Sequence, residues 1–329
     1  MAKIIGKRMV VFSIAAGAFY GISIRLLLKF YRPLHPFVDV MSIGFVLLVP
    51  FAMGFVTMWI AERQQRQSIL SWILLPWVPL LISLAGMLVT LLEGMICIVM
   101  LLPIGVLLAT LGGVCAGLIV RYTPSLRSHN LPVVIVIVLP MLVGSLEPQY
   151  LKRNDVRAIE TTVDIHATPA VVWRNIERVR AIRPAELRSS WTSRIGFPAP
   201  VEATLSFEGV GAVRHASFAG GVLFLETVDI WEPERKLSFS IHADQVPNKT
   251  LDEHVQVGGE YFDVLRGEYR LEPLPDGVTR LHLASQHRLS TDFNWYAHLW
   301  TDGIMGDIQK NILRVIQERC EREPNGQQP

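Results

Sequence analysis

Apolar residues run almost without interruption from Met9 to Glu147, whereas from Lys152 onward charges return every few residues. A hydrocarbon core about 30 Å thick needs roughly 20 consecutive apolar residues of helix. Four stretches meet that length: 9–30, 40–61, 69–92 and 95–120, the last two divided at Glu93-Gly94. A fifth, 131–147, is shorter but almost purely aliphatic. The first half therefore reads as a transmembrane region of about five helices over 1–148. Its first segment reads as a signal anchor, because its apolar stretch is long for a cleaved signal and no small-x-small cleavage site follows.

After a polar linker at 149–157 the period changes. Ala158–His166 alternates as a strand, and Thr168-Pro169 then provides an N-cap residue with proline at the first helical position. Val171, Val172, Ile176 and Val179 recur at helical spacing, predicting a helix over 169–180 and a short second piece near 184–187. Period-two patterning follows over 201–208, 212–218, 222–231 and 237–242, with turns at Gly220-Gly221 and Glu232-Pro233-Glu234-Arg235. A hairpin over 261–271 and 278–288 turns at Pro275-Asp276-Gly277. The last element is a long helix to near Cys320, with Phe293, Ala297, Trp300, Ile304, Ile308, Ile312 and Val315 on one face. A curved antiparallel sheet around that helix buries both apolar faces, which is an α+β helix-grip arrangement.

The segment from Val163 to Trp173, with its Ala167-Thr168-Pro169-Ala170-Val171-Val172-Trp173 turn, resembles the opening of the START-like superfamily. This is the SRPBCC group that includes polyketide cyclase/dehydrase-like proteins. The segments 231–239 and 271–281 are similar to its hairpins, and the likeness covers 158–321, leaving 322–329 as a disordered tail. The stretch from Thr250 to Phe262, with Asp252, Glu253 and His254, looks like an elaboration. The resemblance implies an apolar cavity between sheet and helix that holds a lipid, sterol-like or polyketide-like molecule. It implies no single reaction, so function rests on the site.

Composition narrows the rest. Of 329 residues, 50% are hydrophobic and 18% charged, below the roughly 25% of soluble domains. The net charge of +2 and the absence of a basic stripe exclude a nucleic-acid reader. Cys97, Cys115 and Cys320 form no CxxC pair, so neither a zinc site nor a disulfide framework is expected, and no cofactor or metal is called for. Lys3, Lys7, Arg8, Arg63, Arg66, Arg121 and Arg127 fall on one side of a five-span topology. Lys29, Arg32, Lys152, Arg153 and Arg157 fall on the other, which favours a cytoplasmic N-terminus and a soluble domain outside. Arg25 reads as a residue snorkelling to the interface, and Glu93 as a turn residue rather than an ion-path carboxylate.

Strict alternation sets Val222, Phe224, Glu226, Val228 and Ile230 on the concave face and points Asp263 inward beside Tyr261, Leu265 and Tyr269. His215 shares a face with Val213, and His287 one with Leu281 and Leu283. The expected cavity set is His215, Phe224, Glu226, Val228, Tyr261, Asp263, Tyr269, His287 and Trp300. A few polar groups on apolar walls are how small-molecule sites are built. The expectation is a membrane-tethered binding domain for a lipid or other hydrophobic molecule. A cyclase or hydrolase using the same cavity, and a sensor or assembly protein, are the alternatives.

Overall fold

The structure is a computed structural model that describes residues 2–31, 41–147, 154–247 and 256–322. The chain divides into two compact units, residues 1–153 with 291–293, and residues 154–290 with 294–329.

In the first unit, α1 (Ala2–Phe30) is followed by a π-helical turn at Gly44–Leu48 that runs into α2 (Val49–Gln64). Proline breaks the next apolar stretch into α3 (Ile69–Leu74) and α4 (Trp77–Val89), with Pro76 between them. The chain turns through Leu91, at φ 53°, and Gly94 precedes α5 (Met95–Tyr122). A single turn, α6 (Pro124–Arg127), leads to α7 (Leu131–Leu146). Among the described residues four helices are long and apolar enough to cross a membrane: Lys7–Phe30, Gly44–Gln64, Ile69–Val89 and Met95–Tyr122. The fifth apolar stretch forms a shorter helix of 16 residues, about 24 Å at 1.5 Å per residue.

Glycine lets α2 and α5 touch backbone to backbone. A Cβ on Gly112 would lie 2.0 Å from the Phe51 carbonyl oxygen, and one on Gly54 would lie 2.0 Å from that of Ala109. Arg25 and Arg121 of this unit are each paired with a carboxylate. Arg25 does not snorkel; it is buried against Glu93 and donates to the Leu92 carbonyl at 3.0 Å. Glu93 thus occupies the expected α4–α5 turn with its carboxylate engaged. At the other helix ends, Arg121 donates to Glu62 at 2.7 Å and stacks over Trp72, whose indole N–H donates to the same carboxylate at 3.1 Å.

The second unit is a seven-stranded antiparallel sheet in the order β1-β7-β6-β5-β4-β3-β2. Its strands are β1 (Asp155–Ile165), β2 (Pro200–Leu205), β3 (Val213–Phe218), β4 (Val222–Glu232), β5 (Lys236–Gln245), β6 (Phe262–Pro273) and β7 (Thr279–Leu289). Between β1 and β2 lie α8 (Pro169–Glu177), a 3-10 turn (Pro184–Glu186) and α9 (Trp191–Arg194). The chain closes with α10 (Asn294–Arg322), which lies over β1 and β7. Residues 155–157, expected in the linker, are the first residues of β1. The Asp252-Glu253-His254 elaboration and residues 323–329 lie outside the described residues.

Helix α8 stops at Glu177, short of the expected 180, because Val179 exchanges hydrogen bonds of 2.8 and 2.9 Å with Ala203. Packing against the sheet overrides the helical spacing there. Of the expected face of α10, Ala297, Ile304 and Val315 are buried, and Trp300, Ile308 and Ile312 are half-buried. Thr301, Met305, Gln309, Leu313, Ile316 and Cys320 complete the buried stripe. One core joins α8, α10 and the sheet through Val172, Trp173, Ile176, Leu237, Phe239, Leu281 and Leu313. Trp173 meets Trp231 edge to face at 5.1 Å.

Candidate functional site

Directly paired residues of an antiparallel ladder point to the same face, so the register fixes what lines the interior. On β4 the concave positions are Val222, Phe224, Glu226 and Val228, paired with Phe218, Ala216 and Arg214 on β3 for the first three, and with Phe239 on β5 for Val228. Two β-bulges then reverse the alternation. The first, at Asp229, turns Ile230 outward to face Ser238 and brings Trp231 inward opposite Leu237. The second, at Leu265, pairs Val264 with His287 and leaves Asp263 opposite Arg288 on the convex face. The expected inward placement of Ile230 and Asp263 does not hold for this reason.

Glu226 is buried and bonded to the Arg214 guanidinium, itself buried beneath the sheet. Arg214 donates a second hydrogen bond to the Ile176 carbonyl at 3.3 Å and lies 5.4 Å from the Phe239 ring centre and 5.9 Å from that of Tyr269. Burial pushes the Glu226 carboxyl up, and Arg214 offsets only part of that rise. Burial likewise raises the Tyr269 phenol. The guanidinium, always charged, therefore meets its counter-charge inside the protein. Glu226 is a satisfied partner and not an idle acid or base.

Sequence reasoning overlooked Arg214. The signal was available in the Gly220-Gly221 turn, which pairs Phe218 with Val222 and so brings Arg214 opposite Glu226. Its neighbour His215 shares a face with Val213, but that face is the exposed convex one, where His215 opposes Thr204 and Leu225.

Along β7 the concave face changes character from Leu281 and Leu283 to Ser285 and His287. Gln309 of α10 donates to Ser285 at 2.6 Å and to the Ile159 carbonyl at 3.1 Å, and accepts from Thr161 at 2.7 Å. His287 is fully buried beside the Phe262 ring, at 5.9 Å, and neither ring nitrogen has a hydrogen-bonding partner among the described residues. Burial pushes its imidazole down from the ordinary value, so it is neutral at pH 7.

The β5–β6 ladder runs only from Lys236↔Arg270 to Ser240↔Arg266 among the described residues. Beyond the Leu265 bulge, β6 continues with β7 alone. The concave positions at this end, Phe224, Ile241 and Ala243 on one side and Phe262 and Val264 on the other, are only half-buried. The interior is thus filled by the core at the α8 end, and its apolar positions are less deeply buried at the end where β5 and β6 part.

Of the expected set, Phe224, Glu226, Val228 and Tyr269 gather on the concave face, with Val228 and Tyr269 inside the core. His287 lies at the opposite side of the split. Tyr261 precedes β6 and its carbonyl accepts from the Ser290 N–H at 2.9 Å, while Trp300 flanks the buried stripe of α10. A separate pocket of about 290 Å³ lies between α10, at Ile308 and Asn311, and the segment from Leu187 to Pro200. None of the expected residues lines it. Among the described residues no group of three or more His, Cys, Asp or Glu side chains could hold a metal ion.

The sheet order, the two short helices inserted after β1 and the long closing helix define the second unit as a helix-grip fold, the architecture of START-like proteins. No protein-family profile matches the chain, and no curated protein matches it. Solved structures do. Truncated norcoclaurine synthase from Thalictrum flavum is 10% identical, with 52% of this chain and 97% of that chain covered and a TM-score of 0.34. A protein from Arthrobacter aurescens is 17% identical, covered over 53% and 93%, with a TM-score of 0.32. The Aha1 dimer from Colwellia psychrerythraea is 14% identical, covered over 50% and 97%, with a TM-score of 0.29.

Proposed function

We propose that the protein is a membrane-anchored binding module that takes a lipid or another hydrophobic molecule onto the concave face of its helix-grip unit. The observation that carries this reading is the row of half-buried apolar side chains, Phe224, Ile241, Ala243, Phe262 and Val264, at the end where β5 and β6 separate. Apolar surface left uncovered between a sheet and its helix gains free energy when a ligand removes it from water, at about 25 cal/mol per Å². Anchoring raises the local concentration of the unit around membrane-dissolved ligands without adding a contact. The Arg214–Glu226 pair supports binding over a cyclase or hydrolase, since the Glu226 carboxylate is already engaged. We assign the short helix α7 as a fifth crossing, which puts the helix-grip unit opposite the N-terminus.

The test is photo-crosslinking of the full chain in bilayers that contain a diazirine-tagged acyl lipid, with adducts mapped by peptide mass spectrometry. Adducts are expected on peptides holding Phe224, Ile241 and Phe262, and Ala243→Trp should remove them by filling that end of the concave face. Adducts confined to the apolar helices of the first unit would reject the proposal.

A further inference from the structure

We propose that the first two turns of α10 form a docking surface for the bilayer interface, with Trp295 and Leu299 immersed at the boundary between headgroups and acyl chains. The inference stands apart from the ligand-binding reading and holds whether or not the concave face is occupied. It starts from two side chains that the fold leaves uncovered. Trp295 is 60% exposed and Leu299 69% exposed, although the opposite face of the same helix is buried through Ala297 and Thr301. They are four residues apart and so lie one above the other on one side of the helix. Tyr296 stands beside Trp295 with ring centres 5.7 Å apart. One turn beyond Leu299 comes Gly303, and the Trp191 ring, 40% exposed, lies 3.6 Å from where a Cβ there would be. The result is an exposed strip of aromatic and aliphatic groups rather than a lone surface leucine. Tryptophan and tyrosine are the residues that favour membrane interfaces, being apolar bodies with one polar edge.

The occupant follows from the course of the chain. The last apolar helix ends at Leu146 and β1 begins at Asp155, so the eight residues between them reach at most about 28 Å. The Asp155 carboxylate bonds the His298 ring at 2.6 Å, beside Leu299 in sequence. Further along the same side of the helix the strip ends, and exposed Lys310 takes its place three turns beyond Leu299, about 16 Å away. An apolar strip at the tethered end that gives way to a charge at the far end is the pattern of a helix whose start alone meets lipid.

The experiment uses the full chain in phosphatidylcholine–phosphatidylglycerol vesicles, with Cys97 and Cys115 replaced by serine and the buried Cys320 left in place. Spin labels are attached at Leu299→Cys, at Trp295→Cys and, as the control on the same side of the helix, at Lys310→Cys. Their collisions with oxygen and with a water-soluble nickel chelate are compared. The expected result is loss of nickel collisions and gain of oxygen collisions at 299 and 295, with the reverse at 310. Nickel access at 299 and 295 equal to that at 310 would overturn the proposal. So would shielding from both reagents, which means a protein occupant; dipolar broadening between labels would then identify a second copy of this chain. Far-ultraviolet circular dichroism of each labelled protein checks the fold, and agreement between the two exposed sites guards against a local defect at either.

Discussion

Replacing Glu226 by glutamine should destabilise the helix-grip unit through Arg214. Arg214 is 3% exposed, its guanidinium stands against two aromatic rings, and among the described residues Glu226 is its only acidic hydrogen-bond partner. Removing one member of a buried ion pair typically costs about 3–5 kcal/mol, because the remaining charge stays in the interior uncompensated. For a unit of this size each kcal/mol lowers Tm by about 2–4 °C, so a fall of roughly 6–20 °C is expected. The double variant Arg214→Met with Glu226→Leu removes both charges and keeps apolar volume. It should recover most of that loss and end within about 1 kcal/mol of the wild type, or above it. Near-ultraviolet circular dichroism reads the unfolding through the Trp173–Trp231 pair, and amide exchange on β3 and β4 locates it. A Glu226→Gln protein that melts with the wild type would refute the argument. A double variant as unstable as the single one would do the same, because the cost would then lie in packing and not in charge.

Two acid-limb effects of distinct range are expected. Arg319 grips Glu186 at 2.8 and 3.1 Å and holds its carboxyl down at about 2 from the ordinary 4.5. This contribution is full above pH 4.5 and is lost as pH falls toward 2, and Glu186→Gln should flatten that limb of a stability–pH curve. His287 is held neutral, so its folded pKa lies below the unfolded value of about 6.5. Stability should be full above that pH and decline as pH falls beneath it, and His287→Phe should remove the decline. In the first unit, Gly112→Leu should separate α2 from α5 and abolish the monodisperse peak in size-exclusion chromatography in detergent, whereas Leu111→Ala, at an exposed position, should not. Reporter fusions after Arg66, Arg127 and Arg157 should alternate in sidedness; fusions at 127 and 157 on the same side would show that α7 does not cross. Residues 154–322 expressed alone should give protected amides in β4–β7, and a fully exchanging fragment would show that the unit depends on the membrane half.

What could be read from the chain alone was whatever depends on composition over a window. Apolar runs of 20 residues have no stable place in water, so the membrane half was legible before any contact was known. The alternation of β4 to β7, the Pro275-Asp276-Gly277 turn and the long last helix were legible because each follows from local periodicity and turn chemistry. Which side of a strand faces inward was legible only up to the first bulge. Asp229 and Leu265 each insert one residue into the ladder, and every side chain beyond them changes face: Ile230 turns out, Trp231 turns in, and Asp263 leaves the interior. Nothing local marks such an insertion, because its position is decided by how the sheet must bend around α10. The same holds for charge. Glu226 was identifiable as an isolated carboxylate on an apolar face, but its meaning changed once the β3–β4 register set Arg214 opposite it. His215 went the other way, since a histidine alternating with valine reads alike on either face, and only burial against the helix separates the two. The sequence determined that there is a membrane half and a sheet around a helix. Tertiary structure decided which groups enter the interior, because a single residue of register moves a side chain from one face to the other.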